Sequence, residues 1–161
     1  ERARLTAYVE RRSSATHSPG GSIWSIPCDL AFPCATQNEL NAEHARQLLA
    51  HGCIAVVEGA NMPCTADAVH LLVDSGLCFG PGKAANAGGV ATSALEMQQN
   101  ASRDSWTFDV AEQRLKHIMI DIHDRCLATA DEFGRPGNYV AGANMAGFDH
   151  VARAMVEFGV I

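Results

Sequence analysis

Three short segments carry residue types suited to holding a polar ligand against the backbone. They are Pro33–Leu40 (PCATQNEL), Glu58–Pro63 (EGANMP) and Pro81–Val90 (PGKAANAGGV). Each combines small residues, which admit close approach of a ligand to the main chain, with amide or hydroxyl side chains. Neutral donors and acceptors of this kind match ribose hydroxyls and a carboxamide. Ala, Gly and Asn are also what ordinary turns are made of, so one such segment alone says little. Three in succession, each directly after a short apolar run, point to one ligand-binding edge.

Acid–base and metal chemistry are less well represented. Glu39, Glu58 and Glu96 are possible general bases, and Glu58 is the best placed, immediately after Ile54–Val57. The favoured reading of Glu58 is nevertheless a strand-end carboxylate that caps a neighbouring loop. His117 and His123 are six apart on one predicted helix, and His44 and His51 seven apart on another. Neither pair has the i, i+4 spacing that puts two ligands on one helical face, so these read as surface or half-buried histidines with no metal site. No G-x-S-x-G elbow is present, and Ser93 lacks an evident base. The phosphate-binding patterns G-x-G-x-x-G and G-x-x-x-x-G-K-[ST] are absent.

The elements that must position the three segments follow from pattern. Asp29–Phe32, Ile54–Val57 and Leu77–Phe79 are short apolar runs of the kind found in buried parallel strands. Between them lie helices over 42–51, capped by Asn41 and stopped at Gly52, and over 66–75, capped by Thr65 with Gly76 just beyond its end. Strand–helix–strand–helix–strand with short loops implies an α/β layer with a parallel sheet. Ligands of such sheets bind at the carboxyl ends of the strands, where the three segments fall. Ile23–Ile26 reads as a further extended piece, 13–22 as a polar loop and 1–12 as the end of a helix. Beyond Gly82 the pattern turns helical. One helix is expected over 84–104 despite Gly88-Gly89. A second over 109–131 carries an apolar stripe of Leu115, Ile118, Met119, Ile122 and Cys126, and a third repeats the stripe with Phe148, Val151, Ala152 and Met155. Residues 1–82 thus form an α/β unit, and 83–161 a helical segment packing on it.

Composition bounds the reading. The 161 residues are 47% hydrophobic and 19% charged, with a formal charge of −6. This is an ordinary globular balance that disfavours a basic nucleic-acid footprint or a polybasic membrane patch. No run approaches the roughly 18 apolar residues of a membrane span, and no signal peptide is visible. The chain starts at Glu1 without a Met, as a trimmed chain or a fragment of something longer would. None of the six cysteines forms a C-x-x-C pair, and they read as reduced, buried thiols of a cytosolic protein.

Taken in order, the three segments resemble the C-terminal part of the glutamate dehydrogenases, in the Glu/Leu/Phe/Val dehydrogenase family. Asn138–Met155 (NYVAGANMAGFDHVARAM) extends the likeness, which runs from about Trp24 to Ile161. The most specific piece is Pro81–Glu96 (PGKAANAGGVATSALE), whose lead-in looks like the bacterial, hexameric, NADP-using branch. The resemblance implies the later half of a Rossmann-like cofactor domain followed by C-terminal helices. It implies a cytoplasmic enzyme for reversible oxidative deamination of L-glutamate to 2-oxoglutarate and ammonia, with NADP, or alternatively NAD, as cofactor. By the same resemblance Ala35, Thr36 and Gln37 face the cofactor and Gly59, Ala60 and Asn61 lie along the nicotinamide ribose. Asn86 holds the carboxamide, and Val90 and Ser93 line the amino-acid pocket. The family's catalytic lysine and aspartate, its phosphate loop and its NADP-discriminating residues lie in parts not present here, so the chain alone is expected to be inactive. Neither Lys83 nor Asp29 has a spacing that suits it to replace them. A leucine, valine or phenylalanine dehydrogenase, and a non-catalytic nucleotide-binding or oligomerisation module, are the alternatives. Ser93 bears on the first, since an apolar substrate is better served by an apolar residue there.

Overall fold

The computed structural model describes residues 5–159. The N-terminal helix α1 covers Leu5–Arg11, and the part of its expected span before residue 5 lies outside the described residues. Three parallel strands form one sheet in the order β1 (Leu30–Ala31), β2 (Ala55–Val57), β3 (Cys78–Gly80). They alternate with α2 (Ala42–Ala50) and α3 (Ala66–Asp74), the α/β order expected from the pattern. Each crossover helix begins as its cap predicts. The Asn41 side chain accepts from His44 N, and His44 Nδ1 accepts in return from Asn41 N, while Thr65 caps α3 by accepting from Ala68 N. Gly76 follows α3 with φ of 77°, a left-handed turn that glycine enters without steric cost.

The alternation of side chains along a strand divides the sheet into two faces. Ala31, Val56 and Phe79 point to one face, where they pack with Leu40, Ala45, Leu48, Ala68 and Leu72 of the crossover segments. Leu40, Leu48 and Leu72 are wholly buried. Each contributes about 2–3 kcal/mol of apolar transfer, and together they fix the helices to the sheet. The opposite face is thinly covered on the β3 side by the C-terminal helices. Toward β1 it is bare: Leu30 is 50% and Phe32 57% exposed.

The helical layer consists of α4 (Gly82–Ala85), α5 (Gly88–Ser102), α6 (Phe108–Glu132) and α7 (Tyr139–Phe158). Its α6 stripe behaves as expected, with Leu115, Ile118, Met119 and Ile122 half-buried and Cys126 buried. Three expectations need correction. The segment 84–104 is not one helix. It breaks at Asn86-Ala87, where the Asn86 side chain leaves the helix axis to bond another loop. Ile23–Ser25 is a 3₁₀ turn rather than a strand, because Ser22 caps it by accepting from Trp24 N. Trp24 is then buried, with its Nε1 donating to Glu39 O at 3.2 Å. The stripe assigned to α7 faces solvent: Phe148 is 74%, Val151 57% and Met155 41% exposed. The packed face of α7 centres instead on Gly142, which is buried because the α6 backbone at Cys126 lies where a side chain would stand.

The cysteine reading is also half corrected. All six thiols are free, and Cys53, Cys64 and Cys126 are buried, but Cys34 and Cys78 are exposed. Both lie in apolar runs, yet Cys78 falls on the thinly covered sheet face and Cys34 in the loop beyond β1. Burial, reinforced by the neighbouring Glu58 carboxylate, pushes the Cys64 thiol far above its usual range.

Gly142→Ala puts a methyl into the Cys126 carbonyl and forces α7 off α6, and overpacking of this kind costs about 3 kcal/mol. Gly147→Ala, with nothing within 4 Å, stabilises the same helix by roughly 0.5–1 kcal/mol. Urea midpoints at constant slope measure both. In the native chain an aromatic disulfide reagent modifies Cys34 and Cys78 rapidly, and reaches Cys53, Cys64 and Cys126 only on unfolding. Because the Cys64 value is raised in the fold, its contribution is fully present below the ordinary thiol value of 9.0 and is lost progressively as pH rises beyond it. Thermal melts between pH 7 and 10.5 read that decline.

Candidate functional site

The parallel register aligns Leu30 with Ala55 and Cys78, and Ala31 with Val56 and Phe79. The three strands therefore end at one level, and the loops after them emerge side by side. Main-chain bonds join the first two. Gly59 N and Ala60 N both donate to Pro33 O, at 3.0 and 3.1 Å, and Asn38 N donates to Met62 O at 3.0 Å. A parallel bridge between Leu40 and Cys64 continues the pairing beyond the strands. Loop closeness has a steric condition: a side chain on Gly59 would overlap Cys34 Sγ. Asn38 and Met62, joined by one of these bonds, both adopt left-handed backbone, with φ of 58° and 55°. For Met this conformation costs on the order of 1 kcal/mol, and such residues concentrate where loop shape serves a ligand.

Glu58 joins the second loop to the third. It is 6% exposed, and its Oε1 accepts from Cys64 N at 3.2 Å while its Oε2 accepts from Gly82 N at 2.6 Å. This is the loop-capping role expected of it, and both carboxylate oxygens are occupied by main-chain donors rather than free for proton transfer. Glu39 is likewise engaged, since its Oε1 accepts from Ala35 N at 2.8 Å and Thr36 N at 3.2 Å. Glu96 lies exposed on α5. His51, His117 and His123 are exposed and His44 half-buried, and no cluster of metal-ligating side chains occurs among the described residues.

The residues singled out for the cofactor fall together. Ala35, Thr36 and Gln37 form the exposed tip of the first loop, Gly59 and Asn61 are exposed on the second, and Ala60 is half-buried beneath them. Asn86, half-buried, crosses from the third loop and donates through Nδ2 to Ala60 O at 3.1 Å. That bond fixes the amide orientation, because only the nitrogen can donate to a carbonyl. Asn86 Oδ1 takes no hydrogen bond from a described residue and remains an acceptor at the edge. Val90 and Ser93 stand one turn apart at the start of α5. Val90 is 78% exposed, and the Ser93 hydroxyl is exposed with a long 3.3 Å bond to Gly89 O. They share a face with each other, and the Ser93 hydroxyl bonds within its own helix.

Residue type alone does not point to Gly82 or Cys64. Both take part through main-chain N–H groups, which carry no signature in residue type. The proline before Gly82 was the available sign, because it ends β3 and opens α4 so that the amide at 82 points back toward Glu58.

The chain matches the family model described as Glutamate/Leucine/Phenylalanine/Valine dehydrogenase over residues 1–159. The match thus begins well before Trp24. The chain is 54% identical over 158 residues to an NADP-specific glutamate dehydrogenase of Salmonella typhimurium, covering 98% of this chain and 35% of that protein. A counterpart from Escherichia coli is 56% identical over 142 residues, covering 88% of this chain and 32% of the relative. The crystal structure of Plasmodium falciparum glutamate dehydrogenase superimposes with a TM-score of 0.93 at 44% identity, over 96% of this chain and 33% of that one. The chain spans about a third of the length of the curated relatives it matches. With the three strand-end loops, the Asn86 amide and the α5–α7 layer in this order, the chain belongs to the glutamate/leucine/phenylalanine/valine dehydrogenase family.

Proposed function

We propose that this chain is the C-terminal third of a cytoplasmic, hexameric glutamate dehydrogenase that uses NADP. It would carry the later half of a Rossmann-like cofactor domain, residues 1–82, and the helical segment 83–161 that packs on it. The reaction takes L-glutamate, water and NADP⁺ to 2-oxoglutarate, ammonium, NADPH and a proton. The observation that carries the reading is Asn86, anchored by its Nδ2 on Ala60 O with Oδ1 left as an acceptor among three converging loops. That acceptor fits the N–H of a nicotinamide carboxamide, and NADP-specific relatives at about half identity name the cofactor.

The bound nicotinamide would supply the hydride acceptor. Asn86 holds the ring by its carboxamide and so selects the face presented. Gly59, Ala60 and Asn61 lie along the adjoining ribose, where no more than a hydrogen on Gly59 and a methyl on Ala60 lets the sugar approach the main chain. Ala35, Thr36 and Gln37 close over the cofactor from the first loop. Val90 and Ser93 supply one apolar and one hydroxyl wall of the amino-acid pocket. The Ser93 hydroxyl, weakly held by Gly89 O, is available to the side-chain carboxylate of glutamate. No residue of this chain takes the substrate proton. That work, the pyrophosphate contacts and the orientation of the amino acid belong to the part of the enzyme outside this segment.

Two outcomes are expected. The 161-residue chain alone shows no glutamate oxidation above contamination and binds NADP only in the millimolar range, about −4 kcal/mol, because the pyrophosphate finds no charge-assisted partner. Steady-state assay and calorimetry check this, and micromolar binding would sink it. In the longer polypeptide that carries this segment, Ser93→Val lowers kcat/KM for glutamate roughly 10- to 150-fold and spares norvaline. Ser93 is exposed, so a drop shared equally by both substrates would remove it from the pocket.

A further inference from the structure

We propose that Glu58 is a positioning residue for the nicotinamide ring, acting through Asn86. The inference rests on the cofactor reading above and goes beyond it, since Glu58 touches neither cofactor nor substrate. Its carboxylate spans the gap between the second and third loops and is buried, with Cys64 N on one oxygen and Gly82 N on the other. Among the described residues no lysine, arginine or histidine pairs with it. A buried carboxylate satisfied by two main-chain amides costs more desolvation than a neutral loop tie would, so a carboxylate at this point suits a task that a neutral group does less well.

The geometry supplies the task. Gly82 opens the short helix α4, and Asn86 closes it, its N–H donating to Gly82 O at 2.8 Å. Whatever fixes the amide of Gly82 therefore fixes the start of a single turn whose end carries the carboxamide ligand. The same turn is tied a second time by Asn86 Nδ2 to Ala60 O, two residues past Glu58. A Cβ built on Gly82 would meet Ala60 O at 3.0 Å, Glu58 Oε2 at 3.2 Å and Asn86 Nδ2 at 3.5 Å. Carboxylate, carbonyl and amide thus converge on one point where only glycine fits without displacement. Glu58→Gln keeps the shape but sets an NH₂ group against one of two N–H donors, so one tie is lost and the α4 turn is released.

The test compares NADP⁺ with 3-acetylpyridine adenine dinucleotide phosphate, in which a methyl replaces the carboxamide NH₂ that Asn86 Oδ1 would accept from. In the full-length polypeptide, Glu58→Gln lowers kcat/KM roughly 30-fold with NADP⁺ but only about 3-fold with the analogue, while KM for glutamate stays within about twofold. In an Asn86→Ala background the same substitution adds less than about threefold, because both changes remove one interaction. Gly82→Ala, which keeps the carboxylate and suits a helix start, loosens the bridge and gives the same selective loss at smaller size. It decides the matter if Glu58→Gln does not fold. Equal losses with the two cofactors, or full additivity with Asn86→Ala, would overturn the proposal and leave Glu58 a structural tie. A wild-type polypeptide without NADP-dependent glutamate oxidation fails in a different way: it removes the cofactor reading itself, and this proposal with it.

Discussion

The level at which three parallel strands end governs how the loops beyond them meet. Parallel hydrogen bonding sets Leu30, Ala55 and Cys78 side by side, so the chain leaves the sheet three times at one height. Main-chain groups beyond the last paired residue still need partners. They find them in one another: two amides on Pro33 O, Asn38 on Met62, and Thr65 on Leu40. Between the second and third loops, side chains make the ties, Glu58 accepting from Gly82 N and Asn86 donating to Ala60 O. The edge is a continuation of the sheet's bonding by other means.

Close approach is the second condition. Loops and helices meet at distances that exclude a β-carbon, at Gly59 against Cys34 and at Gly142 against the Cys126 main chain. The first lets two loops share a carbonyl. The second seats α7 directly on α6 and so covers β3 from behind. Small residues here set how near two elements can come, which fixes where Asn86 and Tyr139 lie relative to the strands.

The apolar surface left bare has a consistent distribution. Leu30 and Phe32 on the β1 side of the sheet, Val90 and Met97 on α5, and Phe148, Val151 and Phe158 on α7 are all exposed. A chain that spans a third of its relatives' length presents surfaces that a longer polypeptide has the means to cover. Val90 belongs to the proposed amino-acid pocket, so one of these bare surfaces is also a half-built site.

Local sequence determined the crossover units almost to the residue. Asn41, Thr65 and Gly76 are caps whose effect lies within one turn, and the short apolar runs each place one residue, Ala31, Val56 or Phe79, under the adjacent helices. The loop motifs marked the edge where the three loops converge, and their order identified the family, because residue type and spacing carry both. What the sequence left open depends on partners distant in the chain. Asn86 breaks the expected 84–104 helix because Ala60 O, 26 residues away, offers a bond that a helix interior does not. The α7 stripe of Phe148, Val151 and Met155 was a sound amphipathic pattern, yet α6 took the Gly142 side, since a glycine admits a closer helix contact than a row of large residues. Glu58 was legible as a strand-end cap. That it caps the second and third loops at once, through two main-chain amides with no signature in residue type, was decided only when the parallel sheet brought residue 82 beside residue 58.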